Sequence, residues 1–215
     1  MSEATSMAQV FHEIPDALVS SIYGFDISWS RIKYAQKMLD MLNVKGVSLF
    51  VADMLRMPIK DSAIDLVYTV HAMEPNGGKE IQVLKELYRV TRKYLLLFEP
   101  IYEKANDEGK KRMLQHGYVK GLYDTAIELG YNVIKYEMLK NPSNPLNPTG
   151  IIIIEKPTIS SPIDDVFCDP VSRKEVNIKN NIVYCKDSML MYPIMDGIPC
   201  LLEDNAILAT KYSDF

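Results

Sequence analysis

The chain has 215 residues, 47% apolar and 24% charged, which is ordinary for a globular protein and enough for one full domain plus a smaller one. A formal net charge of −4 argues against a general nucleic-acid binder, which needs a basic face. No apolar run approaches a membrane span, no Lys or Arg precedes Arg31 to build a secretory leader, and three cysteines are too few for a disulfide scaffold. A reduced, cytoplasmic setting is therefore expected.

In chain order, Met7, Val10, Phe11 and Ile14 give Ala4–Ile14 a helical spacing that Pro15-Asp16 stops. Ser21–Phe25 reads as a short strand. Ile32, Ala35, Leu39 and Leu42 stripe one face of a helix over Ser28–Leu42, with Ser28 or Ser30 as its cap. Val47–Val51 is a strand, and Ala63–Val70 has the continuous apolar character of a buried parallel strand. The turn Pro75–Gly78 leads into a helix striped by Ile81, Leu84, Leu87 and Tyr88, and Tyr94–Pro100 is the next strand. Leu114, Tyr118, Leu122 and Leu129 predict one long helix over Asp107–Leu129. Two strands, "NVIKYEML" and "GIIIIEK", follow, joined by "KNPSNPLNPTG", whose three prolines exclude a helix. Consecutive strands without an intervening helix imply an antiparallel pair at a sheet edge.

This alternation predicts an α/β domain, residues 1–156, with a mostly parallel sheet covered on both faces. Residues 157–165, rich in Pro, Ser and Asp, read as a linker. Residues 166–215 switch to short strands and turns, a β-rich unit of about 50 residues that is too small for a large core and should lean on the first domain.

In an open α/β sheet the ligand lies beyond the carboxyl ends of the strands. Those ends carry Asp26 and Ile27, then Asp53 and Met54, then His71 and Glu74, then Glu99-Pro100. A carboxylate at Asp26 accepts both hydroxyls of a ribose, and a second at Asp53 accepts an exocyclic amine, with Ile27 and Met54 sandwiching the base. Each acid also has a plainer use as a turn or helix cap. His71, whose side chain titrates near neutrality, and Glu74, if desolvated, are candidate general bases. The plainer reading of His71 is packing or hydrogen bonding near the cofactor. Trp29 is a stacking candidate or a packing residue, and His12 and His116 fall on helix surfaces.

With these residues in place the sequence resembles the class I S-adenosylmethionine-dependent methyltransferases. The resemblance rests on "YGFDIS", "FVADMLRMPI", "IDLVYTVHAMEPNGG", "LKELYRVTRKYLLLFEP" and the closing antiparallel hairpin, over about residues 3–156. It implies a Rossmann-like sheet, S-adenosylmethionine as cofactor, Asp26 on the ribose and Asp53 on the adenine. It also exposes a gap. The family's first strand and glycine loop belong about 20 residues before such an acid, yet the first glycine is Gly24. "SEATSMAQVF" matches only the tail of that loop, so the usual first strand is expected to be lacking. Two explanations stay open. Either the chain is a truncated product, the preferred one, or another segment, such as one from a partner chain, fills the slot; a homodimer or a partner chain is among the expected assemblies.

"HAMEP" stands where amino-directed nucleic-acid methyltransferases carry an Asn/Asp-Pro-Pro-aromatic stretch, so the expected acceptor is a small molecule rather than DNA. The alternative is a non-catalytic pseudo-methyltransferase acting as a binding or scaffold module. A nicotinamide-dependent dehydrogenase ranks lower, because it gives no reason for Asp53 or the terminal hairpin. The C-terminal stretch Phe167–Ala206, above all "YPIMDGIPCLL", resembles a small zinc-ribbon-like domain that activates RNA and protein methyltransferases. That resemblance places Asp169, Ser172, Cys185 and Ser188 at the four ligand positions. With a single thiolate among them, no structural zinc is expected. Cys200 is expected to pack as a small apolar side chain. The unit should be held by Ile182, Tyr184, Tyr192, Ile194, Ile198 and Leu201.

Overall fold

The computed structural model describes residues 21–140, 144–157 and 161–212. The expected helix over Ala4–Ile14, and the place ahead of it where the first strand is expected to be lacking, lie outside the described residues. Two compact units are present, one built from residues up to Ile59 together with Phe167 onward, the other spanning Lys60–Val166. Among the described residues no helix is long and apolar enough to cross a membrane.

The first unit begins with strand β1 (Ile22–Asp26), helix α1 (Trp29–Met41) and strand β2 (Val47–Val51). β1 and β2 pair in parallel, with Asp26 opposite Val51, so their carboxyl ends lie side by side. Ser28 occupies the N-cap position of α1, but its side chain makes no capping bond, contrary to expectation. Its amide is instead taken by Asp26. Ile32 and Leu39 form the buried face of α1, while Leu42 is exposed because the helix has ended by Met41.

The C-terminal strands belong to this same unit. They are β7 (Asn177–Lys179), β8 (Ile182–Cys185), β9 (Leu190–Met195), β10 (Ile198–Pro199) and β11 (Ile207–Leu208). β7, β8, β9 and β10 pair antiparallel in succession, and β11 adds to β9. Beyond β10, Cys200 bridges Val51 in parallel, and the Leu201 amide donates to the Val51 carbonyl at 2.8 Å. The end of β2 is thereby partnered on its side away from β1. Ile32, Val51, Ile198 and Cys200 form one buried cluster, with Trp29 packed against it. Phe50 stacks on Phe25 at 5.6 Å and meets Phe167 edge-on at 5.2 Å. Tyr184, Tyr192, Ile198 and Leu201 are buried as expected, and Ile182 and Ile194 are half-buried.

The second unit holds strand β3 (Ile64–Val70), helix α2 (Glu80–Val90), strand β4 (Thr91–Pro100), helices α3 (Asp107–Gln115) and α4 (Leu122–Glu128), and strands β5 (Asn132–Met138) and β6 (Thr149–Glu155). The sheet order is β3-β4-β6-β5, with β5 at the edge. β3 and β4 are parallel, and β6 runs antiparallel to both its neighbours. The described sheet is thus mixed rather than mostly parallel. The hairpin return of β6 into the place beside β4 is the reason.

α2 buries Val83, Leu84, Leu87 and Val90. Its apolar face is rotated from the expected stripe, leaving Ile81 half exposed. Leu95, Leu97, Ile152 and Ile154 are fully buried in the same unit. Each such side chain contributes about 1.5–3 kcal/mol of burial. Instead of one helix over Asp107–Leu129 there are two. Gly117 and Gly121 both take left-handed φ values, 64° and 61°, which an α-helix does not tolerate.

Candidate functional site

Asp26, Ile27, Asp53 and Met54 are carried by the first unit, His71 and Glu74 by the second. At the end of β1 the Asp26 carboxylate accepts the Ser28 amide at 2.8 Å, and at the end of β2 the Asp53 carboxylate accepts the Leu55 amide at 2.9 Å. The two strand ends therefore close with the same side-chain turn, each acid bonding the amide two residues on. In each case one oxygen shapes the turn and the other is left outside it. For Asp26 the second oxygen is 3.5 Å from an Arg31 nitrogen, an ion pair screened by water because Arg31 is largely exposed. Ile27 is 62% exposed, so its face is open to a planar ring, and Met54 is half-buried.

The second unit brings His71 and Glu74 together and adds partners that the sequence did not announce. β3 ends opposite Phe98, the His71 amide continues the ladder onto the Phe98 carbonyl, and Thr149 lies opposite Pro100. His71 and Thr149 thus flank the end of β4 from its two sides. His71 has φ 53°, a conformation uncommon for a side chain-bearing residue and often met at functional sites. Its Nδ1 is 2.5 Å from a Glu74 carboxylate oxygen, and its Nε2 is 2.8 Å from the Thr149 hydroxyl. Asn147 donates from Nδ2 to the same Glu74 oxygen at 3.0 Å. Its buried Oδ1 has no hydrogen-bond partner among the described residues.

Burial pushes the Glu74 carboxyl up. Hydrogen bonds from His71, Asn147 and Tyr118, with the His71 charge, outweigh it and hold the group below the usual carboxylate range. Glu74 is therefore ionised at neutral pH and only accepts, which assigns the proton on His71 to Nδ1. With that tautomer, a neutral ring presents its lone pair at Nε2, toward Thr149. That hydroxyl has a second acceptor, the Asn147 carbonyl at 3.3 Å.

The turn carrying Glu74 is fixed by close backbone approach. The Gly77 amide donates to the Gly117 carbonyl at 3.0 Å, and the Val119 amide donates to the Glu74 carbonyl at 3.2 Å. A Cβ at Gly77 would lie 2.2 Å from the Gly117 oxygen. Below it, Glu99 at the end of β4 is fully buried and accepts the amides of Ala72 and Met73 at 3.1 and 3.3 Å. Burial raises its pKa from 4.5 to about 7, against the opposite pull of the Met73 and Ala72 amides and of His71.

Asn147 was hidden in the proline-rich loop, and nothing in the sequence pointed to Thr149. Glu99 was visible only as one more acid at a strand end. His116 is exposed past the end of α3, and Trp29 donates from its indole to the Met195 carbonyl at 3.4 Å, a packing role. His12 lies outside the described residues.

In the C-terminal segment the expected ligand positions give a hydrogen-bonded centre around Asp169. Its buried carboxylate accepts the Ser172 hydroxyl at 2.5 Å, the Tyr192 hydroxyl at 2.6 Å and the Ser172 amide at 3.1 Å, and the Ser172 hydroxyl is 3.7 Å from the Cys185 sulfur. Burial pushes the Asp169 carboxyl up, but the Ser172 and Tyr192 bonds outweigh it and hold it low. Ser188 stands in the turn between β8 and β9. Among the described residues no cluster of three His, Cys, Asp or Glu side chains is arranged to hold a metal.

Residues 5–94 match the family model described as a methyltransferase domain. No curated protein matches the chain. Among solved structures, a candidate methyltransferase from Bacillus halodurans is similar at 15% identity, with a TM-score of 0.55 over 72% of this chain and 89% of that one. The geranyl diphosphate C-methyltransferase from Streptomyces coelicolor, solved with Mg2+, geranyl diphosphate and S-adenosyl-L-homocysteine, is similar at 9% identity, TM-score 0.53, over 70% of this chain and 66% of that one. A SAM-dependent methyltransferase from Methanosarcina mazei is similar at 16% identity, TM-score 0.51, over 64% and 82%. The chain has the fold of the S-adenosylmethionine-dependent methyltransferases, with a methyltransferase domain matched over residues 5–94.

Proposed function

We propose that the chain transfers a methyl group from S-adenosylmethionine to a small-molecule acceptor. The observation that carries the reading is the pair of acids at the adjacent carboxyl ends of parallel β1 and β2, each with an oxygen left outside its turn. S-adenosylmethionine suits that offer. Asp26 would accept the two ribose hydroxyls, Asp53 the adenine amine, and Ile27 and Met54 would cover the ring faces. The cofactor, when bound, supplies an electrophilic methyl on a sulfonium.

Protein groups supply the proton chemistry. Ionised Glu74 holds the Nδ1 proton of His71 and stabilises the charge that the ring gains on protonation. His71 takes a proton at Nε2 once the Thr149 hydroxyl turns to the Asn147 carbonyl. Methyl transfer needs alignment and desolvation of the nucleophile more than a strong base, so His71 is the refinement of the reading and Asp26 its foundation.

The test is a calorimetric titration of the full chain with S-adenosylhomocysteine and, in parallel, with a nicotinamide dinucleotide. Saturable binding of the first alone is expected. Binding of the dinucleotide alone would turn the reading into the dehydrogenase one, and binding of neither would leave a non-catalytic module.

A further inference from the structure

Among the described residues Arg112 on α3 is a cation without an anion. Of its five N–H donors, one makes a hydrogen bond to a described residue, from Nη2 to the Tyr118 hydroxyl at 3.4 Å, which is long for such a bond. Its Nη1 is buried with no partner among the described residues, and no carboxylate there is within ion-pair distance of it. The guanidinium lies 5.6 Å from the centre of the Tyr118 ring. Two other cations of these segments lie at a different ring. Lys110, on the same helix, and Lys120, two residues past Tyr118, stand 6.0 and 5.9 Å from the centre of the Tyr102 ring, and neither takes part in an ion pair among the described residues.

The acids facing this group are already committed. Glu74, which hydrogen-bonds Tyr118, is shared by His71 and Asn147, and Glu103 accepts the Gly121 amide at 2.7 Å. A buried donor without an acceptor costs desolvation with no compensating bond, and an oxyanion removes that cost. A planar guanidinium with one arm of its fork unfilled matches a carboxylate or phosphate oxygen. The contacts also run on from Arg112 through Tyr118 and Glu74 to His71.

We propose that Arg112 is an anion-binding site that holds the carboxylate or phosphate of the molecule to be methylated. The substrate is then a small anionic compound. Its being a methyl acceptor rests on the methyl-transfer reading above, whereas the anion site does not.

The test uses the full chain, with inorganic phosphate and acetate as separate probes, titrated at constant ionic strength while amide resonances of residues 112–120 are followed by NMR. Saturable shifts with either anion are expected, and which one binds tells phosphate from carboxylate. Arg112→Met keeps an unbranched apolar stem without the charge and should weaken binding about tenfold or more. Arg112→Lys, a point charge without the fork, should fall between. No saturation with either anion, or unchanged binding in folded Arg112→Met, overturns the proposal. S-adenosylhomocysteine binding is measured on the same samples. Its absence with phosphate or acetate binding intact defeats the methyl-transfer reading alone, and the reverse defeats the anion site alone.

Discussion

Glu99→Gln removes one buried ionisable group and leaves its shape. In the folded chain the Glu99 pKa is raised from 4.5 to about 7 by burial, so the native state binds a proton that the unfolded chain has released. Stability from this group is therefore fully present below the unfolded value and is lost as pH rises toward the folded one. The raised pKa corresponds to about 3 kcal/mol over the whole window, of which about 2 kcal/mol falls between roughly pH 5.5 and pH 8. Urea unfolding of wild type and Glu99→Gln at those two pH values reads the difference directly, since other titrations are common to both proteins. Wild type should lose about 2 kcal/mol more than the variant on going to the higher pH. Parallel pH dependences in the two proteins would refute a buried carboxyl that titrates near neutrality.

Lys156 donates to the Tyr88 and Thr91 carbonyls at 2.7 Å each and to the Ser62 hydroxyl at 3.1 Å, closing the C-terminal end of α2. Lys156→Met should cost about 2 kcal/mol in denaturant unfolding, and a change below about 0.5 kcal/mol would deny it that role. Tyr192→Phe removes the 2.6 Å bond to the buried Asp169 carboxylate. It should destabilise by about 1.5–3 kcal/mol, and an unchanged midpoint would show the centre is not held by that bond. Gly77→Ala forces a Cβ to 2.2 Å from the Gly117 carbonyl oxygen. The expected loss is at least about 2 kcal/mol with changed His71 ring resonances, and a variant with native stability would contradict the close approach.

The strands β4 and β6 were legible from the apolar runs Tyr94–Phe98 and Ile151–Ile154, whereas β3 is a parallel strand as read but not a buried one, with Leu66 and Tyr68 exposed. The helix over residues 107–129 was misread because Leu114, Tyr118, Leu122 and Leu129 satisfy a helical period that ignores backbone sign. Gly117 and Gly121 take left-handed conformations and break it. The parallel strand ends that bring Asp26 and Asp53 into neighbouring places followed from strand order alone. The partners of His71 did not. Thr149 lies 78 residues away and reaches it only through the β4–β6 register that sets Thr149 opposite Pro100. Such a register is fixed by packing along the whole strand, not by any local motif.

Asp26 carries the central claim, so binding of S-adenosylhomocysteine to wild type and to Asp26→Ala is the most direct measurement. Saturable binding to wild type that disappears in a folded Asp26→Ala variant is the predicted result. Equal affinity in the two proteins, or no binding to wild type, would contradict it.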